Sequence, residues 1–449
     1  MSFDFAEGLM GHLSLKHARE ALRKRLDNNP VGAPPHRALY DILSMLFSDE
    51  EAAIAAAMPY GFTGTRKLAS LLGRAPEELE PVLDRMADKG LLFDVRKDGK
   101  AWWYLNPLVI GFFEFSMMRI RPELDQKQLS HLIHEYAFED PARGFMYELG
   151  KGGETQLFRP LVHEQNSAGE PVEVLDFERA TNMVSEASAW SIGLCHCRHV
   201  QLHRGKPCRN SARGVKDPMD VCLSLGGPAK FFARRGMARA VDKAEALDLL
   251  AGSVEAGLVQ LGDNVKTKGA FICNCCGCCC EVLAGYRLLR ESPMVMTSGF
   301  LPTFSDEKCN GCNVCVKACP VQALSAGTVA RGGNGGERKP IPVVDAGFCL
   351  GCGVCGTRCA RGAIRMERGP RKVHTPETLV EKMMTMALER GKLQYLIFDR
   401  PDAVSHAALR GFIGALLNLP PGRLVLANHQ LKSRFISFLA SKAPVREVP

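Results

Sequence analysis

The stretch Cys309-Asn310-Gly311-Cys312-Asn313-Val314-Cys315-Val316-Lys317-Ala318-Cys319-Pro320 decides how this chain is read, because it returns as Cys349-Leu350-Gly351-Cys352-Gly353-Val354-Cys355-Gly356-Thr357-Arg358-Cys359. Both runs space their thiols as C-x2-C-x2-C-x3-C. Three thiolates two residues apart wrap a tight loop around one face of a [4Fe–4S] cube, and the last iron takes its ligand from elsewhere. Gly311, Gly351 and Gly353 let such loops turn and bring backbone N–H groups toward the sulfides.

The paired runs resemble bacterial two-cluster ferredoxins. In that family the fourth cysteine of each run serves the other cluster. The resemblance therefore implies one [4Fe–4S] cluster on Cys309, Cys312, Cys315 and Cys359, and a second on Cys349, Cys352, Cys355 and Cys319. It also implies single-electron transfer. The chain departs from the family pattern in two places: Ala360-Arg361 replaces the proline expected after the last cysteine, and Gly332-Gly333-Asn334-Gly335-Gly336 lengthens the connection between the runs. Arg361, Arg365, Arg368, Arg371 and Lys372 follow, opposed only by Glu367. Such charge favours a reduced cluster and attracts an acidic ferredoxin or flavodoxin, or a larger oxidoreductase, although a solvated basic surface reads the same way.

Ten of the 18 cysteines lie upstream. Cys195-His196-Cys197-Arg198-His199, followed by Cys208 and Cys222, forms a four-thiolate set for a third iron–sulfur cluster, for zinc, or for redox-active thiols. His196 and His199 read as hydrogen-bonding neighbours of that set. Cys273-Asn274-Cys275-Cys276-Gly277-Cys278-Cys279-Cys280 puts six thiols in eight residues. They cannot all reach one cube from one backbone direction. Three, such as Cys273, Cys275 and Cys276, could do so, leaving the others for a second metal or to face Cys195 and Cys197. Its Cys-Cys-Gly element resembles cysteine-rich modules with unusual clusters in anaerobic reductases. Together with the CHCR group and the paired runs, residues 75–370 are similar to large ferredoxin-domain proteins of anaerobic or facultative bacteria.

The remaining residues suggest a multidomain α+β protein. Residues 1–120 read as helical and winged-helix-like, with helices at Lys16–Leu26, Arg37–Phe47, Thr65–Leu72 and from Pro76, then strands Leu91–Val95 and Trp102–Leu105 around Asp98-Gly99. Residues 121–295 form a cysteine-rich central domain with a helix capped by Asp242 and Glu245 and closed by Gly257. Residues 296–373 form the two-cluster module. Residues 374–449 form a small α/β tail with helices Thr375–Arg390, Ser405–Leu417 and Lys432–Ala440 and strands Leu393–Phe398 and Leu424–Leu426.

With 449 residues, 46% hydrophobic content and a net charge of +8, large cores are within reach. No secretory signal opens the chain, and the apolar stretch Pro107–Met118 is too short to span a bilayer, so a cytoplasmic protein without a transmembrane segment is expected. Thiols grouped at metal-ligand spacing fit a reducing compartment better than disulfides do. Nucleic-acid binding is not expected, because the Pro76 helix carries Glu77, Glu78, Glu80, Asp84 and Asp88 against Arg85 and Lys89. Trp102 and Trp103 read as hairpin core. No phosphate loop or haem-attachment motif is present. The function expected is an iron–sulfur electron carrier or oxidoreductase subunit. A catalytic reductase with its active cluster at Cys273–Cys280 is the alternative, and a redox-sensing regulator comes third. The sequence identifies no catalytic residue and leaves open whether the chain is itself an enzyme.

Overall fold

The computed structural model describes residues 15–140, 144–151, 153–166, 178–209, 219–290, 294–327, 330–331, 337–338, 340–371, 373–398, 409–411 and 435–436. The chain mixes helix and sheet and divides into two compact units, residues 1–154 with 380–449, and residues 155–379.

In the first unit, helices Leu15–Asp27, Arg37–Leu46 and Asp49–Ala57 precede β1 (Thr63–Gly64), helices Thr65–Leu72 and Pro76–Asp88, β2 (Leu92–Lys97) and β3 (Lys100–Leu105). The local chemistry is explicit. Ser48 Oγ accepts from Glu51 N while Glu51 Oε2 accepts from Ser48 N at 2.8 Å, a reciprocal cap at a helix start. Asp98 and Gly99 both take positive φ, the geometry that folds a two-residue hairpin loop with the twist of its strands. The strands order β1-β3-β2, all antiparallel. Trp103 is fully buried beneath them, its Nε1 donating to Thr65 Oγ1 at 2.9 Å.

The C-terminal segment belongs to the same unit. Helix Leu379–Glu389 is succeeded by a second helix, Leu393–Ile397, where the strand Leu393–Phe398 is expected from the sequence. The apolar residues explain the difference. Among the described residues no strand pairs with this segment, and a helical turn packs Leu393, Leu396 and Ile397 with Met384, Leu388 and Ile436. Lys392 Nζ donates to Asp27 O at 2.8 Å and Arg390 Nη2 to Leu149 O at 3.1 Å, tying the segment to the N-terminal helices. The strand expected at Leu424–Leu426 lies outside the described residues. Of the helices expected at Ser405–Leu417 and Lys432–Ala440, only 409–411 and 435–436 are described, and both are helical.

The second unit is built on a six-stranded antiparallel sheet. Its strands are β4 (Phe158–Leu161), β5 (Trp190–Leu194), β6 (Asp220–Leu225), β7 (Ala238–Val241), β8 (Val259–Asp263) and β9 (Phe271–Cys275), in the order β4-β8-β9-β6-β5-β7. Side chains alternate between the two faces. Ile192, Leu223 and Ile272 stand in register on one face and pack with Val184, Ala246 and Leu250 of helices Ala180–Glu186 and Lys243–Glu255. Cys222 and Cys273, directly opposed, therefore project from the other face, and Cys275 joins them two residues on. The sheet thus separates an apolar layer from a sulfur-bearing one. The Asp242 carboxylate accepts from Glu245 N at 2.8 Å at the start of the second of those helices.

After Gly299 the chain forms β10 (Phe300–Phe304), β11 (Leu324–Ser325), β12 (Ala330–Arg331), β13 (Glu337–Arg338), β14 (Val343–Val344) and β15 (Ile364–Arg368). β10 pairs with β15 and β11 with β14, closing the module on itself. The short helices Val314–Ala318 and Val354–Thr357 each follow a residue in the left-handed region, Asn313 and Gly353. The Gly332–Gly336 loop lies outside the described residues.

Candidate functional site: three gatherings of cysteine sulfur

The two runs of the module are built alike, at a constant offset of 40 residues. Positive φ recurs at Gly311 and Gly351, at Asn313 and Gly353, and at Gln322 and Gly362. Cys309 N donates to Ser305 O at 2.9 Å, and Cys349 N donates to Asp345 O at 2.8 Å. Cys319 Sγ accepts from Ala323 N at 3.2 Å, and Cys359 Sγ accepts from Ala363 N at 3.3 Å. Backbone N–H groups so placed are donors of the kind that cluster sulfurs accept.

Cys319 leaves its own run. With Cys349, Cys352 and Cys355 it lines one small pocket, partly open to solvent and otherwise walled by Pro302, Pro320, Leu350 and Met366. Three thiolates of one run and the fourth of the other, around one apolar pocket, form a donor set that fits a [4Fe–4S] cube. Burial pushes the Cys349 thiol up to about 11 and Cys355 up to about 12. A buried thiolate is costly until a metal compensates its charge, and binding then expels the proton. Cys315 and Cys359 pack in the same small core as Cys355 and Cys319. Cys312 is exposed and Cys309 half-buried, so the first loop lies nearer to solvent than the second.

The module is anchored to the sheet through a buried histidine. His163 Nε2 lies 2.9 Å from Leu258 O, its Nδ1 lies 2.9 Å from Thr357 Oγ1, and its backbone N donates to Cys352 O at 3.1 Å. Burial lowers the His163 pKa to about 4, so the ring is neutral at pH 7 and serves as a hydrogen-bonding bridge.

The ten upstream cysteines regroup relative to their order in the chain. Cys195, Cys197, Cys208 and Cys222 do not form one set. Cys208 stands with Cys276, Cys278 and Cys279, their sulfurs all within 4.8 Å of one another. The remaining six form an arc of neighbouring thiols, Cys195 to Cys197, then Cys280, Cys275, Cys273 and Cys222. The trio Cys273, Cys275 and Cys276 is likewise divided. Cys273 and Cys275 share a face of β9, while Cys276 begins the turn that follows the strand. Cys280 closes that turn, its Sγ accepting from Leu283 N at 3.5 Å at the start of helix Glu281–Leu288.

Arg198 lies between the two sets and is 1% exposed. Its Nε donates to Cys208 Sγ at 3.4 Å and its Nη1 to Asn274 O at 3.0 Å, and its charge is felt by Cys195 of the arc as well as by Cys276. The hydrogen bond from Cys197 lowers the Cys195 thiol to about 7. His196 Nε2 is 3.4 Å from Glu281 Oε2, and His199 Nε2 is 3.1 Å from His203 Nε2. The sequence alone assigns Arg198 no role of its own. Its position inside C-H-C-R-H was the available signal, since a cation so placed faces the thiolates on either side of it.

The upstream sulfur adjoins the module. A Cβ built on Gly277 would lie 3.1 Å from Pro320 O, the residue after Cys319. Helix Glu281–Leu288 reaches the same place, Arg287 Nη1 donating to Pro320 O at 2.7 Å and Tyr286 Oη to Phe348 O at 3.0 Å.

Residues 308–363 match the family model of the 4Fe–4S dicluster domain. This match and the grouped cysteines support an iron–sulfur protein with a role in electron transfer. No curated protein and no solved structure shows a significant match to the chain. Among the described residues, no helix is long and apolar enough to cross a membrane.

Proposed function

We propose that this chain is an electron-transfer protein, or the redox subunit of a larger oxidoreductase, relaying single electrons through two [4Fe–4S] clusters toward a further centre on the upstream cysteines. Cys309, Cys312, Cys315 and Cys359 hold one cluster, and Cys319, Cys349, Cys352 and Cys355 hold the other. The pocket shared by Cys319 and the second run is the observation that carries this reading. The cubes supply one-electron chemistry, and the chain tunes it through burial, N–H donors to sulfur and nearby charge.

A direction follows from exposure. The first loop, with Cys312 in solvent, is the entry side, and Arg361, Arg365 and Arg371 are exposed in the same module. Arg368 is engaged by Glu178 at 2.7 Å and contributes less. This surface suits an acidic ferredoxin or flavodoxin. The second pocket adjoins Pro320 and Gly277, and through them the upstream thiols. Six sulfurs in the arc exceed what one cube uses, which favours the reductase reading as the second possibility, with the arc as the catalytic end. The N-terminal helices and hairpin form a winged-helix-like docking unit. Its Pro76–Asp88 helix is too acidic for a phosphate backbone. Cysteine usage supports a reducing, cytoplasmic setting.

Anaerobic purification tests the reading. The two cubes require about eight iron and eight sulfide per chain. The reduced protein should pass electrons to an acidic ferredoxin at a rate that falls with ionic strength. A colourless, iron-free preparation would overturn the proposal.

A further inference from the structure

One of the two upstream gatherings is too tight for a cube. Cys208 Sγ lies 3.6 Å from Cys276 Sγ and 3.7 Å from Cys278 Sγ, and Cys278 Sγ lies 3.6 Å from Cys279 Sγ. Around a cube each thiolate holds a different iron, and the iron–sulfide core drives the four sulfurs apart. Around a single ion they share one centre. A tetrahedron with metal–sulfur bonds of about 2.3 Å has edges of about 3.8 Å, close to these three separations, and all four sulfurs lie within 4.8 Å of one another.

We propose that Cys208, Cys276, Cys278 and Cys279 bind one zinc ion as a closed, redox-silent tetrathiolate site. The ligands come from two places, the segment after helix His196–His203 and the turn after β9. Both arrive with local support. Arg198 donates to Cys208 Sγ, and the backbone N–H of Arg209 donates to Cys278. Four thiolates and one zinc ion carry a net charge of −2, and the buried Arg198 guanidinium offsets part of it. Ala256 and Leu258, both buried, pack against Cys208, Cys276 and Cys279, so the surroundings are apolar and the four thiolates complete the coordination shell. Binding exchanges the four thiol protons for the ion, with no electron gained or lost.

The arc of six thiols has a different character. Among the described residues, no three of its sulfurs are gathered as the quartet is, so the arc forms no comparable single-ion site. The ten upstream cysteines thus divide into a structural site and a separate, larger one. Zinc would clamp the Cys208 segment to the turn that carries Gly277 against Pro320, holding the arc and the second cluster pocket in fixed relation. This inference stands apart from the electron-transfer reading, because the cubes depend on none of the four zinc ligands.

The test uses the full-length protein, grown with both iron and zinc supplied and purified without oxygen. Wild type should carry about one zinc per chain, and absorption at the zinc edge should show four sulfurs at about 2.3 Å. Cys278 is the most solvent-accessible of the four. Cys278→Ser should lose zinc to a chelator at least about tenfold more readily, with the iron content unchanged. Cys278→His should keep the ion in a Cys3His shell, a set that zinc also accepts. Three results would overturn the proposal: wild type without zinc, one iron in place of the zinc, or a fall of about four iron atoms in Cys278→Ser, the signature of a cube.

Discussion

Replacing Gly351 with alanine should do more damage than the same change at Gly362, a glycine of the same module that shares its left-handed backbone but has open surroundings. Gly351 has φ +73°. A Cβ there would collide with Ser298 Oγ and stand 2.5 Å from Phe300 O. Ser298 cannot simply move aside, because its Oγ donates to Gly351 O at 2.8 Å and accepts from Phe300 N at 3.2 Å. The left-handed backbone costs an alanine about 1–2 kcal/mol. Forcing a methyl group into packed backbone adds about 1–3 kcal/mol. The sum, about 2–5 kcal/mol, is a large part of the ~5–15 kcal/mol that holds a typical domain. Gly362→Ala is the control: its φ is +59°, nothing lies within 4 Å of its Cβ, and its counterpart in the first run is Gln322, which already takes that conformation with a side chain. It should cost the backbone contribution alone. Oxygen-free urea unfolding followed by visible absorbance, with iron counted on each variant, provides the measurement. Gly351→Ala should bleach at clearly lower urea and lose up to half of the module's ~8 iron atoms, while Gly362→Ala keeps them. Equal midpoints and equal iron in the two variants would refute the reasoning.

Two further outcomes follow from the site. Cys319→Ser should abolish the cluster of the second run, and Cys359→Ser that of the first, each leaving about four iron atoms in the module; spectra of the reduced variants report which cube survives, and loss of the cube from the mutated run itself would contradict the exchanged ligation. Arg198→Leu leaves buried thiolate charge uncompensated, at a cost of about 3–5 kcal/mol, so its thermal unfolding and its retention of upstream metal should both suffer, with Arg198→Lys intermediate because it keeps the charge without the planar fork; a leucine variant as stable as wild type would remove Arg198 from this role.

Local signals in the sequence carried far where the chemistry itself is local. Helix Thr65–Leu72 with its stop at Gly73, the Asp242 cap and the hairpin about Asp98-Gly99 each depend on a few adjacent residues, and each stands as the sequence implies. The thiol spacing of the two runs is local in the same sense. The six-stranded sheet was not legible. Its order joins strands far apart in the chain, and β9, Phe-Ile-Cys-Asn-Cys, has no apolar alternation because one of its faces carries sulfur. The regrouping of the upstream cysteines has the same origin: the run divides between Cys275 and Cys276, where a strand ends and a turn begins, and again between Cys279 and Cys280, where the turn meets a helix, boundaries invisible until the sheet is known. Leu393–Phe398 misled for the opposite reason, since a short apolar run satisfies either period and only its neighbours decide.

Helix Glu281–Leu288 begins at Cys280, a member of the sulfur arc, and by its last turn has reached Pro320 and Phe348 beside the second pocket. Eight residues at about 1.5 Å each make a strut of about 12 Å. Tunnelling rates fall steeply with distance, so a gap spanned by a hydrogen-bonded rod keeps its width while loops around it fluctuate. Traffic between the two ends would then be tuned by driving force alone, with the gauge of the track fixed when the chain folds.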